Sequence, residues 1–300
     1  FLNEFLASCQ TQDHGGRLEL QDGALCAIGY IVASGVIPDA DAVRALKILI
    51  EMASKVGRGA SAEATLAAVA AEAIGHASLR KLLPSVVVGD ALSALCEVMK
   101  NTDPNVSKLA ARAAGHIMLN DARESTTSVL LPSVLSMCEV KNDDAQFAIG
   151  EAIACAWGGA NVNADKVLTT SFTTLNAEVK ARAAEDAEAS TSMDVDEVKS
   201  RVANYTADAD PRRHVHNAVL DAIFNQYIYS SRVEKRCAAC VWLLSLVMHT
   251  DNHPRMLSMS QEAQEAFGSL LGDSNELTQE LASRNRKSTR LNSSHVEQSR

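Results

Sequence analysis

The chain is poor in aromatic residues, which fill 4% of its 300 positions, and it holds only six prolines. Tyr, Phe and Trp are favoured strand formers, so their scarcity argues against a sheet-built protein. No apolar run approaches the ~20 residues of a membrane-spanning helix, and direct membrane insertion is not expected. The seven cysteines are odd in number and scattered, which argues against a disulfide framework and for a reduced, intracellular protein. Basic residues are outnumbered 28 to 37, for a net charge of −9. Phosphate-backbone binding needs clustered Lys and Arg, so a nucleic-acid partner is not expected. Phosphate loops, nucleophile elbows, HExxH and kinase signatures are all missing. The chain is therefore expected not to be an enzyme, and no catalytic residue, cofactor or small-molecule substrate is assigned. No signal-peptide pattern opens it, but it begins with Phe1, and a fragment of a longer protein is expected.

What is present is alanine: 47 of 300 residues, about 16%. Alanine has the best helix propensity, and its small side chain lets helices approach closely. A short signature recurs within these helical stretches: CAIGYI at Gly29, EAIGHA at Gly75, RAAGHI at Gly115 and FAIGEA at Gly150. The glycines are 46, 40 and 35 residues apart, near the ~40–47 of two-helix HEAT and armadillo units. Glycine within a helix costs about 1 kcal/mol against alanine, so a recurring one needs a reason. Close packing of each unit's second helix on its neighbours supplies it. The fold predicted is all-α, a HEAT/armadillo-like α-solenoid of stacked antiparallel helix pairs.

The intervening segments read as helix pairs. In DAVRALKILIEMASKVG, Val43, Leu46, Leu49, Ile50, Ala53 and Val56 make one apolar stripe opposite Arg44, Lys47 and Glu51. Asp39 and Asp41 are candidate N-caps, and Gly57 and Gly59 candidate terminators. Asp103-Pro104 predicts a turn, because the residue before proline disfavours the α conformation. LLPSV occurs at Leu82–Val86 and again at Leu130–Val134, which suggests the same point of two repeats. Asp273-Ser-Asn-Glu276 has capping-box spacing.

The sequence divides into four segments: repeats over 1–182, an acidic flexible insertion over 183–211, further repeats over 212–284, and a non-native or disordered tail over 285–300. The insertion carries eight acids against Lys199 and Arg201 and is read as a solvated linker, with a regulated or partner-binding loop as the alternative. The tail changes composition abruptly, and its RLNSSH string resembles translated sequencing-adapter ends. A basic nucleic-acid-binding tail of Arg284, Arg286, Lys287 and Arg290 is the competing reading.

Two groupings invite chemistry. Cys237-x2-Cys240 precedes His249-x3-His253, and such pairs can ligate zinc. The eight-residue gap is short of the finger pattern's twelve or so, and buried cysteines behave as small hydrophobes; no metal site is assigned. Gly57-Arg-Gly59 follows a helix and not a strand, so it is a turn and not a dinucleotide loop. His76 and His116 each follow a repeat glycine and are read as structural. His214 and His216 could pair with Asp221, without a nucleophile to serve.

Residues 234–283, above all RCAACVWLLSL from Arg236 and AFGSLLGDSNELTQELAS from Ala266, resemble the proteasome adapter and scaffold protein family. LQDGALCAIGYIVA from Leu20 is similar to this family's repeats too. The resemblance covers about a third of the chain convincingly. It implies a large, non-catalytic HEAT-repeat scaffold that binds the 26S proteasome and bridges its core and regulatory particles. Roles in assembly, quality control including ERAD, and links to other compartments follow from the resemblance, as does a cytoplasmic and nuclear location. It supplies no binding residue, so the interaction surface stays unassigned. A repeat scaffold for another large partner, such as a transport receptor or phosphatase complex, is the alternative; an enzyme with a zinc site at Cys237, Cys240, His249 and His253 is a second.

Overall fold

The computed structural model describes residues 2–10, 18–158, 200, 202–250 and 253–284. The tail over 285–300 and most of the acidic insertion, 183–199, lie outside them. The regular elements are helices: α1 (Leu2–Gln10), α2 (Leu18–Ser34), α3 (Asp39–Ser54), α4 (Ala62–Ala77), α5 (Ser85–Met99), α6 (Pro104–Asn120), α7 (Glu124–Leu135), α8 (Asp143–Trp157), α9 (Arg213–Leu220), α10 (Val233–Thr250), α11 (Pro254–Ser258) and α12 (Ser260–Leu270). A last helix, α13, runs over 276–284. No strand occurs among the described residues, and none of their helices is long and apolar enough to cross a membrane. Among the described residues two compact units divide at Met137 and Cys138.

In the first unit the helices form two layers. α2, α4 and α6 pack on one another in succession, α3, α5 and α7 do the same, and the pairs α3–α4 and α5–α6 join the layers. This is the HEAT/armadillo order, a stack of antiparallel helix pairs in which each helix meets its neighbours. It explains the alanine. α4 has neighbours on both sides in its own layer and a layer beneath it, and Ala64, Ala67, Ala68, Ala70, Ala71, Ala73 and Ala77 are all buried. A helix enclosed this way has little room for large side chains at its close crossings.

Helix ends follow local chemistry. Ser61 caps α4 by accepting the Ala64 N–H, and Asp103 caps α6 by accepting that of Asn105, with Pro104 in the first turn. Asn142 caps α8 by accepting the Ala145 N–H, and Gly158 ends it at φ 88°, a left-handed conformation that favours glycine. Gly59, at φ 61°, lies in the turn between α3 and α4.

Three local expectations are corrected. Pro38 occupies the N-cap of α3, so Asp39 and Asp41 lie within the first turn, where they complement the helix dipole. The second LLPSV does not open a helix. Pro84 precedes α5, whereas Pro132 lies inside α7, which continues as a 3-10 turn over Ser136–Glu139. Proline is compatible with either place but marks different points, so the pentapeptide does not fix a register. At α13 the cap is Asn275, whose Oδ1 accepts the Thr278 N–H at 2.9 Å. Asp273 instead takes Arg236 Nε at 2.5 Å and the Asn275 N–H at 2.9 Å.

The second unit centres on α10, buried on nearly every side from Cys237 to Leu246. It packs on α8, where the Trp242 indole N–H donates to Gln146 Oε1 at 3.0 Å inside the core. Between α9 and α10 the chain widens into a π-helical turn over Asp221–Tyr227, closed by Ile228 N–H to Ile223 O at 3.0 Å. α13 covers α10 through Thr278, Leu281 and Ala282, all buried, with the Cys240 thiol 3.7 Å from Thr278 O.

Candidate functional site

Gly29, Gly75 and Gly150 of the recurring signature are helix-crossing points. A Cβ built on Gly29 would lie 2.9 Å from the backbone Cα of Ala73, and one on Gly75 would lie 2.6 Å from that of Ala113. Each contact residue stands two positions before the next repeat glycine, so the signature is one half of a crossing at each level. In the second unit Gly150 meets Ser245 of α10. In the first unit the residues that follow Gly29, Gly75 and Gly115 stack in a row. Tyr30 lies on His76 with ring centroids 5.2 Å apart, and His76 on His116 at 5.8 Å.

This row is structural in its electrostatics. Burial pushes the His76 imidazole down to about 4 and His116 to about 3, with Arg112 adding to the effect at both. Both rings are therefore neutral at neutral pH. Arg112 lies 3.5 Å from Glu72 across α6 and α4, with side-chain exposures of 9% and 15%. Burial raises the Glu72 carboxyl above its ordinary value even with that guanidinium beside it.

The second unit gathers polar groups at the start of α9 and the α10–α11 junction. His216 is buried, and its ring stacks on Trp157 at 4.1 Å between centroids. Its Nε2 lies 3.0 Å from the Trp157 carbonyl, and its Nδ1 lies 3.8 Å from Asp210 Oδ2. His253 Nε2 reaches the same oxygen at 3.7 Å, while its Nδ1 caps α11 by accepting the Arg255 N–H at 3.2 Å. The Tyr205 hydroxyl donates to Asp210 Oδ2 at 2.9 Å and the Arg212 N–H to Oδ1 at 2.8 Å. Burial opposes ionisation of Asp210, but those two donors together with the neighbouring His216 and His253 hold the carboxyl below its ordinary value. Burial also lowers His216, to about 4.

This is not the constellation the sequence suggested. His253 joins Asp210 and His216, while Cys237 and Cys240 lie apart from it under α13, their thiols pushed up by burial. Asp221 accepts from the side chains of Asn225 and Gln226, not from His216. Tyr205 and Asp210 fall within the stretch read as an acidic insertion; its described end carries a 3-10 turn over Ala207–Ala209. The one usable signal was a tyrosine followed by Asp210-Pro211, a turn former in a run otherwise read as solvated.

A groove of about 470 Å³ lies between α3 and α5, lined by Lys47, Glu51, Asp90 and Glu97 among others. Glu51 pairs with Lys55 at 2.7 Å and Glu97 with Lys100 at 2.6 Å, so much of its charge is answered within single helices.

Over an alignment of 290 positions that covers 89% of this chain, the sequence is 29% identical to the Homo sapiens "Proteasome adapter and scaffold protein ECM29". The chain resembles a proteasome scaffold. The similarity reaches far beyond the third of the chain in which its motifs are legible. The chain spans 14% of that relative's length. No family model matches. Among solved structures, an engineered protein is similar at a TM-score of 0.45 and 14% identity, covering 96% of this chain and 98% of its own. A designed armadillo repeat protein is similar at 0.42 and 12%, covering 96% and 100%. These scores are too low to decide anything about the chain.

Proposed function

We propose that this chain is a non-catalytic part of a repeat scaffold that binds the 26S proteasome and helps hold its core and regulatory particles together. The similarity to the human proteasome adapter and scaffold protein over 89% of the chain carries the reading. The fold is compatible with it. Helix pairs that contact only their neighbours present long faces to large partners, and stability summed over local interfaces lets such an array yield without unfolding. Roles in proteasome assembly and quality control, and a cytoplasmic and nuclear location, belong to the same proposal.

The test is capture of intact proteasomes by the tagged 300-residue chain from a lysate, with subunits of both particles identified by mass spectrometry. Recovery of both, in proportion, is the expected result. Retention of other large complexes without proteasome subunits refutes the proposal and favours a scaffold with another cargo.

A further inference from the structure

We propose that Asp210, His216 and His253 hold a divalent transition-metal ion, with zinc the species that the donor set suits. His216 is the buried member of the set. Its Nε2 faces the Trp157 carbonyl at 3.0 Å, and a carbonyl only accepts, so that nitrogen carries the ring hydrogen. A neutral ring of this tautomer leaves a bare lone pair on Nδ1. That nitrogen makes no hydrogen bond, although the residue is 2% exposed. It is aimed at Asp210 Oδ2, 3.8 Å away. Two acceptors thus face each other across a gap, one of them deep inside the unit. A buried acceptor left unanswered is costly, and a cation between the two answers both.

The surroundings match what metal-binding histidines require. A ligating imidazole commonly donates its other N–H to a backbone carbonyl or carboxylate, which fixes its tautomer and direction; the Trp157 carbonyl does this for His216. The Trp157 indole stacked at 4.1 Å holds the ring plane. Tyr205 and the Arg212 N–H orient the carboxylate. The three donor atoms lie within 4.8 Å of one another, with His253 Nε2 3.7 Å from Asp210 Oδ2. Ligand–ligand edges in tetrahedral zinc sites are about 3.3–3.5 Å, from bonds of about 2.0–2.2 Å. The two carboxylate edges therefore need to close by under about half an ångström. Asp210 and His253, with side-chain exposures of 13% and 19%, leave an approach for the ion and a place for water as a further ligand. Two imidazoles and one carboxylate suit zinc, whereas calcium and magnesium prefer oxygen alone.

One bond gives way. His253 Nδ1 accepts the Arg255 N–H at 3.2 Å, and with metal on Nε2 the ring hydrogen moves to Nδ1. The loss falls on α11, a five-residue helix, where the cap holds little.

The full chain, stripped with chelator and dialysed, is titrated with zinc alone and then with cobalt(II), whose visible bands report geometry and ligand type. The expected result is one zinc per chain and a cobalt spectrum without thiolate charge-transfer bands. His216→Gln and Asp210→Asn each weaken binding by at least about a hundredfold, and Tyr205→Phe by about tenfold. Cys237→Ser with Cys240→Ser leaves the affinity unchanged. If His216→Gln does not fold, the partly exposed Asp210→Asn decides, with circular dichroism confirming native helix content. Substoichiometric zinc, an affinity unaltered by Asp210→Asn in folded protein, or loss of binding with the two cysteines overturns the proposal. So does a site that takes up only protons, seen as a histidine titration with no zinc uptake.

Discussion

Replacing Gly75 by alanine tests the crossing geometry most directly, because two effects of known size oppose each other. In an exposed helix the change stabilises by about 1 kcal/mol through propensity. Here the new Cβ would sit 2.6 Å from Ala113 Cα and 2.8 Å from its Cβ, against an ordinary carbon–carbon contact of about 3.5–4.0 Å. The obstacle is backbone, so α4 and α6 must separate by roughly an ångström, and overpacking of this kind costs about 1–3 kcal/mol or more. The cost exceeds the gain. Gly75→Ala is expected to lower stability by about 1–3 kcal/mol net, a fall in Tm of roughly 3–10 °C, followed by circular dichroism at 222 nm. Gly89 of α5 is the control: it is exposed and a Cβ there meets nothing within 4 Å. Gly89→Ala should stabilise by about 0.5–1 kcal/mol. Adding Ala113→Gly to Gly75→Ala should restore only part of the loss, since the Cα at 2.6 Å remains. Equal stabilisation by Gly75→Ala and Gly89→Ala would refute the reasoning.

The remaining predictions concern buried polar groups. Gln146→Ala leaves the Trp242 indole N–H without its 3.0 Å partner and opens a cavity, a loss of about 2–4 kcal/mol to be read by denaturant unfolding and tryptophan emission. Asp273→Ala removes one of two partners of Arg236 and the acceptor of the Asn275 N–H; about 1–3 kcal/mol is expected, with faster amide exchange in 276–284. His76 and His116 have folded values near 4 and 3 against an ordinary 6.5. Below about pH 6.5 the unfolded chain binds protons that the folded chain refuses, so their contribution is whole above that pH. It is lost as pH falls toward 4, with a slope of up to about 1.4 kcal/mol per pH unit for each histidine. Unfolding midpoints measured between pH 7 and 4.5 should fall accordingly, and His116→Gln should flatten the curve; a midpoint independent of pH there would contradict the burial of these rings.

The repeat signature was legible because its cause is local and steric. Four glycines at similar spacing in alanine-rich stretches imply close crossings, and Ala73 and Ala113 stand where such crossings require small residues. The turn at Asp103-Pro104 was readable for the same reason, since proline restricts the residue before it, whereas the caps expected at Asp39, Asp41 and Asp273 fall instead to Pro38 and Asn275. LLPSV misled because proline constrains its own φ and its predecessor but leaves open whether a helix starts or is already under way.

The Asp210, His216 and His253 cluster was not legible, since it draws on three segments spread over 43 residues and on the carbonyl of Trp157, a backbone atom no side-chain pattern encodes. His253 had a nearer partner in sequence, His249, and two cysteines at an inviting spacing; the path of the chain sent the cysteines under α13 and His253 toward α9. By itself, the sequence determined helix content, repeat spacing and the close crossings, because propensity and side-chain size act over a few residues. Only the tertiary structure decided which polar groups meet, because that depends on how loops return the chain between helices.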